Sequence, residues 1–196
     1  MPKVVDHDRR RRELAGVVWE LIAREGIEGV SIRDVAAAAG WSSGALRHYF
    51  ATKEELLSYA ADLVIERVTE RVQRASPAAS LRQAVRAILV ELLPLDGDRQ
   101  TEARIWHSFV TRSLVDPAFA GRQRIVFDEL HDLCRRLVDE VARHGQLGEG
   151  LVAGQEADQM HALLDGLSLH LLLGRLGPSG AEAALDAYLA GLISER

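Results

Sequence analysis

Apolar residues recur every three to four positions along most of this chain, a helical rhythm with which no strand pattern competes. Leu14, Val17, Val18, Leu21 and Ile22 share one face of a first helix running from about Arg9 to Arg24. Ser31 and Asp34 have the spacing of an N-terminal cap followed by an acid in the first turn, and Ile32, Val35, Ala36 and Ala39 form a stripe behind them, so a second helix starts there. Gly40 ends it, since only glycine takes the left-handed conformation without steric cost. A third helix follows, capped by Ser42 or Ser43 and anchored by Leu46 and Phe50. Thr52 and Glu55 repeat the capping-box spacing with Lys53 in the first turn, which opens a fourth. That fourth helix is predicted over 53–75, and further helices over 80–93, 98–115, 117–144, 155–174 and 180–194. The breaks fall at Ser76-Pro77, Pro94, Asp116-Pro117, residues 145–154 and Gly177-Pro178. The pattern predicts an all-α fold of about nine helices, divided into a three-helix domain over residues 1–53 and a helical regulatory domain over 54–196.

Two short helices around a glycine turn make a helix-turn-helix, a DNA-reading module. Ser43, Gly44 and Ala45 keep the start of the second helix small, so it can sink into a major groove. Alone, a Gly-Ala-Leu-Arg stretch reads as an ordinary surface helix, and the context carries the functional reading. The free backbone NH groups at the start of the fourth helix, together with Lys53, suit a DNA phosphate. The DNA-facing residues are expected to be Ser31, Ser42, Ser43, Gly44, Ala45, Arg47, His48, Tyr49, Thr52 and Lys53. Ser43 and Arg47 would face base edges, with Arg47 suited to guanine, while Tyr49, Lys53, Ser42, His48 and Thr52 hold phosphates. The run Arg9 to Arg12 is either a solvated helix start or a basic arm on the DNA backbone.

Charge changes the picture by its distribution. Residues 1–53 carry nine Lys or Arg against seven acids, whereas the whole chain has 24 against 29 and a formal charge of −5. A basic end on an acidic body suits a site-selective binder better than a protein that coats nucleic acid.

The stretch VSIRDVAAAAGWSSGALRHYFATKEELL, with the long helix before it and the aromatic pair Tyr49 and Phe50, resembles the tetracycline-repressor (TetR) family of bacterial transcriptional regulators. The resemblance covers residues 9 to 57. Trp41, Arg47 and Ala51 depart from the family's commonest residues at those positions. LLPLDGDRQTEARIWHSFVTRSLVDP is similar to the BetI-type carboxy-terminal branch. The resemblance implies a homodimer that binds a palindromic double-stranded operator as a repressor and is released by a small-molecule effector. It places the effector pocket among the middle helices, where Trp106, His107, Phe109, Phe127, His131 and Met160 are the candidate lining, although aromatics at helical spacing are more often plain core. A quaternary ammonium calls for an aromatic cage, and aromatic residues make up only 5% of the chain, so the choline-pathway ligand of that branch is not carried over.

The leucine-rich segment near the carboxyl end predicts a helix that must be covered on several sides, and the last helix is rich in small residues. The pair would form a four-helix bundle with its copy, through Leu163, Leu167, Leu171, Leu185, Tyr188 and Leu189, unless these serve a purely intramolecular core. Cys134 reads as a small buried hydrophobe, and a metal pair with His131 lacks two further ligands. No phosphate loop, nucleophile elbow, HExxH or paired CxxC is present, so no catalytic residue, cofactor or metal is expected. Without a spanning apolar run or a signal-peptide core, a cytoplasmic protein with no membrane partner is expected. The alternative is an all-helical small-molecule-binding or interaction protein without DNA-dependent regulation.

Overall fold

Each short helix at the amino end starts where a side-chain oxygen takes over a backbone donor. The Ser31 hydroxyl accepts from the Asp34 NH at 3.2 Å, Ser42 from Ala45 at 3.1 Å, and Thr52 from Glu55 at 3.0 Å. The computed structural model describes residues 7–75 and 79–194; the expected break at Ser76-Pro77 lies outside them. Those residues form nine helices: α1 (His7–Gly29), α2 (Ile32–Ala38), α3 (Ser43–Arg47), α4 (Lys53–Arg74), α5 (Leu81–Glu91), α6 (Gly97–Ser113), α7 (Pro117–Arg143), α8 (Ala153–Leu172) and α9 (Pro178–Leu192). One isolated antiparallel bridge joins Leu147 to Ile193. The expected helices are all present, with ends shifted by a few residues. The largest shift is in α1, which runs on to Gly29 across a break at Gly26, where φ is 76°.

The α2–α3 turn depends on Gly40, with φ 71°. That conformation lets the Trp41 NH reach back to the Ala36 carbonyl at 2.8 Å and the Gly40 NH to Ala37 at 3.1 Å, which closes α2 and sets the angle of α3.

Two cores result. The first joins α1 to α4 and takes in Ile105 and Phe109 of α6 and Phe119 of α7. The second joins α5, α7, α8 and α9 around Leu89, Val138, Met160 and Leu185. Helix α4 runs through the first core with Leu56, Leu57, Ala60, Leu63 and Val64 buried. Packing therefore continues across the 53/54 division expected from the sequence.

Candidate nucleic-acid interface and effector cavity

Helix α3 is held from behind and open in front. Leu46 and Phe50 are fully buried, while Ser42, Gly44, Arg47 and His48 are exposed and Ser43, Ala45 and Tyr49 are half-buried. The Tyr49 ring stacks on His7 at 4.5 Å between centroids and meets the edge of Trp41 at 5.3 Å. Arg10 lies 5.7 Å from the Trp41 ring centroid, so the non-standard tryptophan after the turn belongs to an aromatic and cationic shelf beside α3. Lys53 reaches the Glu28 carbonyl with Nζ at 3.3 Å. The Ser31 hydroxyl is occupied by capping: it bonds the Asp34 carboxylate as well as accepting from the Asp34 NH.

The arginine run divides. Arg9 and Arg10 pair with Glu13 on the same helix at 3.0 and 2.6 Å. Arg12 holds both carboxylate oxygens of Glu66 at 2.8 and 3.0 Å, and Arg11 lies over the Phe50 and Tyr59 rings at 4.6 and 4.5 Å. Arg11 and Arg12 thus clamp α1 onto α4 instead of forming a free arm. Arg33, not among the residues expected at the DNA, projects from α2 with its side chain 87% exposed and its Nε 3.8 Å from the Asp34 carboxylate.

Helix α4 connects this surface to a cavity. Its amino end carries the cap Thr52 and then Lys53, and about 17 to 28 Å further along its axis, at 1.5 Å per residue, Val64, Val68, Arg71 and Val72 form one wall of a 570 Å³ cavity. Leu92, Leu93 and Pro94, then Glu102, Ala103 and Trp106 of α6, Val126, Leu130 and Leu133 of α7, and Leu164, Asp165 and Ser168 of α8 complete the lining. Of the six residues expected there, Trp106 faces the space and the other five do not line it. His107 turns to α8, its Nε2 3.2 Å from the Ser168 hydroxyl. Phe109 continues the α6 stripe past the cavity into the first core, against Phe119. Phe127 rests on His161 with centroids 4.4 Å apart, His131 faces Asp158 at 3.6 Å, and Met160 is fully buried in the second core. The physical reason is helical phase: positions 126, 130 and 133 of α7 face the space, and 127 and 131 sit about 100° round the helix.

The cavity has a charged side that periodicity could not reveal. Glu102 is only 4% exposed and accepts from Arg71 at 2.7 Å, with Arg67 at 3.6 Å. Glu91 lies 3.5 Å from Arg71 and 3.1 Å from Arg99. Arg67 also covers the Trp19 ring at 4.4 Å, and the Trp19 indole donates to the Ala60 carbonyl at 2.9 Å. Cavity wall, α4 and α1 are thereby joined by a continuous set of contacts. Arg67 and Arg71, one helical turn apart on α4, are the part of this side visible in the sequence; their partner Glu102 comes from α6 and only the packed fold brings it to them.

Burial sets the titration of the opposite wall. It raises the Asp165 carboxyl above its ordinary range and lowers the His107 and His161 imidazoles. The Cys134 thiol, fully buried, is pushed up to about 12, as suits an inert core residue, and His131 turns away from it toward Asp158.

The expected subunit interface is corrected in its residues. Leu167, Leu171, Leu185 and Leu189 are buried in the chain's own second core, Leu163 packs against it, and Tyr188 donates its hydroxyl to the Glu156 carbonyl at 2.9 Å. Leu167, Leu171, Leu185 and Leu189 therefore face the chain's own core, while Leu163 and Tyr188 are half-buried at its edge. The outward face of α8 carries Ala162, Gly166, Leu169 and Leu173, the last two 46% and 72% exposed, beside Ala183, Ala187 and Ala190 of α9.

Comparison with known proteins places both surfaces in context. A family model for bacterial regulatory proteins of the tetR family matches residues 18–60, and one for the C-terminal region of BetI-type transcriptional repressors matches residues 81–194. The HTH-type transcriptional regulator PksA of Bacillus subtilis is 36% identical over 178 residues, which cover 88% of this chain and 83% of that protein. A transcriptional regulator from Rhodococcus sp. Rha1 superimposes with a TM-score of 0.80 at 27% identity, over 93% of this chain and 95% of the other. A regulator from Saccharomonospora viridis, solved in complex with choline, superimposes at 0.82 with 23% identity, over 96% of this chain and all (100%) of the other, a likeness of fold.

Proposed function

The chain belongs to the TetR family of bacterial transcriptional regulators, with a BetI-type carboxy-terminal region, and from that premise we propose that it is a homodimeric repressor released from a palindromic operator by a small, largely apolar molecule. Membership makes it a DNA-binding regulator and not an enzyme. The observation that carries the ligand-responsive reading is the double duty of α4, whose first turn sits beside α3 and whose later turns wall the cavity. A molecule filling that space pushes on Val64, Val68 and Arg71, and a small tilt of α4 changes the separation of the two α3 helices in a dimer. Operator binding needs that separation near one helical turn, about 34 to 36 Å.

In this reading Ser43 and Arg47 meet base edges, and Gly44 and Ala45 permit the close approach. Ser42, His48, Tyr49, Thr52 and Lys53 hold phosphates, and Ser31 positions α2 through its cap. Trp106 is the effector contact retained from the sequence. Two copies meet through the exposed Leu169 and Leu173 face of α8 and the alanine face of α9. The work is done in the cytoplasm, where the operator is; no helix among the described residues is long and apolar enough to cross a membrane. The functional division remains a reading domain and a regulatory domain, with α4 common to both.

The test is selection of bound sequences from a random DNA pool, followed by a metabolite screen for release of the selected operator. A palindromic consensus whose complex is dissociated by an apolar compound is the expected result. An absence of selected sequence would defeat the reading-head assignment, and a consensus from which nothing releases the protein would defeat the effector assignment.

A further inference from the structure

The cavity's charges are unevenly satisfied, and that imbalance identifies the class of molecule it takes. On one side two of the three cations are paired. Arg71 is held by Glu102 and Glu91, although its Nε lacks a hydrogen bond, and Arg99 is held by Glu91 at 3.1 Å and Asp96 at 3.0 Å, so both guanidinium charges already face carboxylates. At the α7 wall Arg136 lines the space together with Glu129 and Asp132 of its own helix. On the α8 side Asp165 faces the space differently. Among the described residues no lysine or arginine pairs with it; its ionic neighbours are two imidazoles, His161 with Nε2 at 3.8 Å, beyond hydrogen-bonding distance, and His107, which burial also holds toward the neutral form. His161 is itself buried, which holds its imidazole toward the neutral form, as does the neighbouring His131. Counted over the lining, three cations face five carboxylates.

We propose, building on the reading of this cavity as the effector site, that the effector is an amphiphilic amine: an apolar body against Val64, Val68, Leu130 and Trp106, with a protonated nitrogen donating to the Asp165 carboxylate. The Asp165 side chain is 38% exposed and accepts no hydrogen bond within the described residues, so a ligand that covers it must supply a donor, and an ammonium group supplies both charge and hydrogen bonds. Ser168, one turn along α8, adds a hydroxyl acceptor beside it. A nitrogen that carries hydrogens fits better than a quaternary one, because among the described residues Trp106 is the single aromatic ring in the lining, where a cage needs several.

The test uses one apolar body with four head groups: decylamine, decyltrimethylammonium, 1-decanol and decanoate, titrated below their micelle concentrations by calorimetry and by tryptophan fluorescence. Wild type should bind decylamine at least tenfold more tightly than the alcohol and the quaternary ion, with decanoate weakest. Asp165→Asn should bring decylamine to the level of 1-decanol and leave 1-decanol unchanged, while Asp165→Glu keeps the preference. The wild-type series is informative even if a variant fails to fold. Equal binding of all four, tightest binding of decanoate, or an amine preference that survives Asp165→Asn overturns the amine assignment and leaves the effector cavity standing. Failure of all four to bind wild type overturns both.

Discussion

The reading head and the regulatory half use helix faces in opposite ways. Around α3 the large side chains Leu14, Leu46, Phe50, Leu56 and Leu57 are packed to near-complete burial, and polar groups are left on the outside. Between α4, α6, α7 and α8 the facing positions leave 570 Å³ unfilled, with ion pairs set into the wall. A filled core fixes one geometry and holds α3 rigidly, as the proposed contact with bases requires. An unfilled one leaves α4 a direction in which to move. The difference implies that core truncations should damage the two regions unequally.

The largest effect should come from Phe50→Ala, which removes a fully buried ring from behind α3 and should cost about 3–5 kcal/mol in denaturant unfolding. Trp106→Ala borders space that is already empty, and roughly 1 kcal/mol or less is expected. Equal losses from the two would break the contrast. Next, Arg47→Ala should weaken operator binding by about 1–3 kcal/mol and relax preference at one position of each half-site, with unfolding unchanged; an unaltered sequence profile would reassign Arg47 to phosphate.

Leu173→Glu should shift the dimer to monomer in sedimentation by at least about tenfold in dissociation constant, since a carboxylate would enter an apolar seam, without loss of the subunit fold. Leu167→Glu, aimed at the chain's own core, should instead unfold it, and a folded Leu167→Glu monomer would restore the interface first expected from the sequence. Lys53→Ala should weaken all DNA alike and lower the salt slope by about one per subunit.

The smallest effect concerns Asp165. Burial raises its carboxyl in the folded chain, so the native state binds more protons than the unfolded state between the two values, and stability falls as pH rises through the folded one. Asp165→Asn should remove that fall, giving a more stable protein at neutral pH and one equal to wild type below the unfolded value of about 3.9. A variant less stable than wild type at pH 7 would mean the charge is structurally satisfied.

The same contrast explains what could be read in advance. Ser31, Gly40, Ser42 and Thr52 act through local spacing, so the helix-turn-helix and its boundaries were legible residue by residue. The apolar stripes of α8 and α9 were legible too, but a stripe says only that a face is covered. Leu167 and Leu185 are covered by their own chain, and the outward face of Leu169 and Leu173 carries no stronger periodic signal. The cavity was least legible, because its walls use the same valines and leucines as a core and differ only in what fails to fill the space between them. Chemical type singled out Trp106 and also His107, Phe109 and Phe127, and only the phase of the packed helices separates the first from the rest.

In the proposed function α4 transmits the state of the cavity to the reading head. That transmission is tested most directly by the distance between two spin labels, one on each subunit of the dimer, at Glu20→Cys on the exposed side of α1; the buried Cys134 stays unlabelled. Pulsed electron resonance should give one narrow distance with operator and a distance several ångströms different with decylamine or a compound from the release screen, and Trp106→Ala should abolish the second shift. A distance distribution that is the same in the free, operator-bound and compound-bound dimers, with binding of each confirmed, would contradict the account.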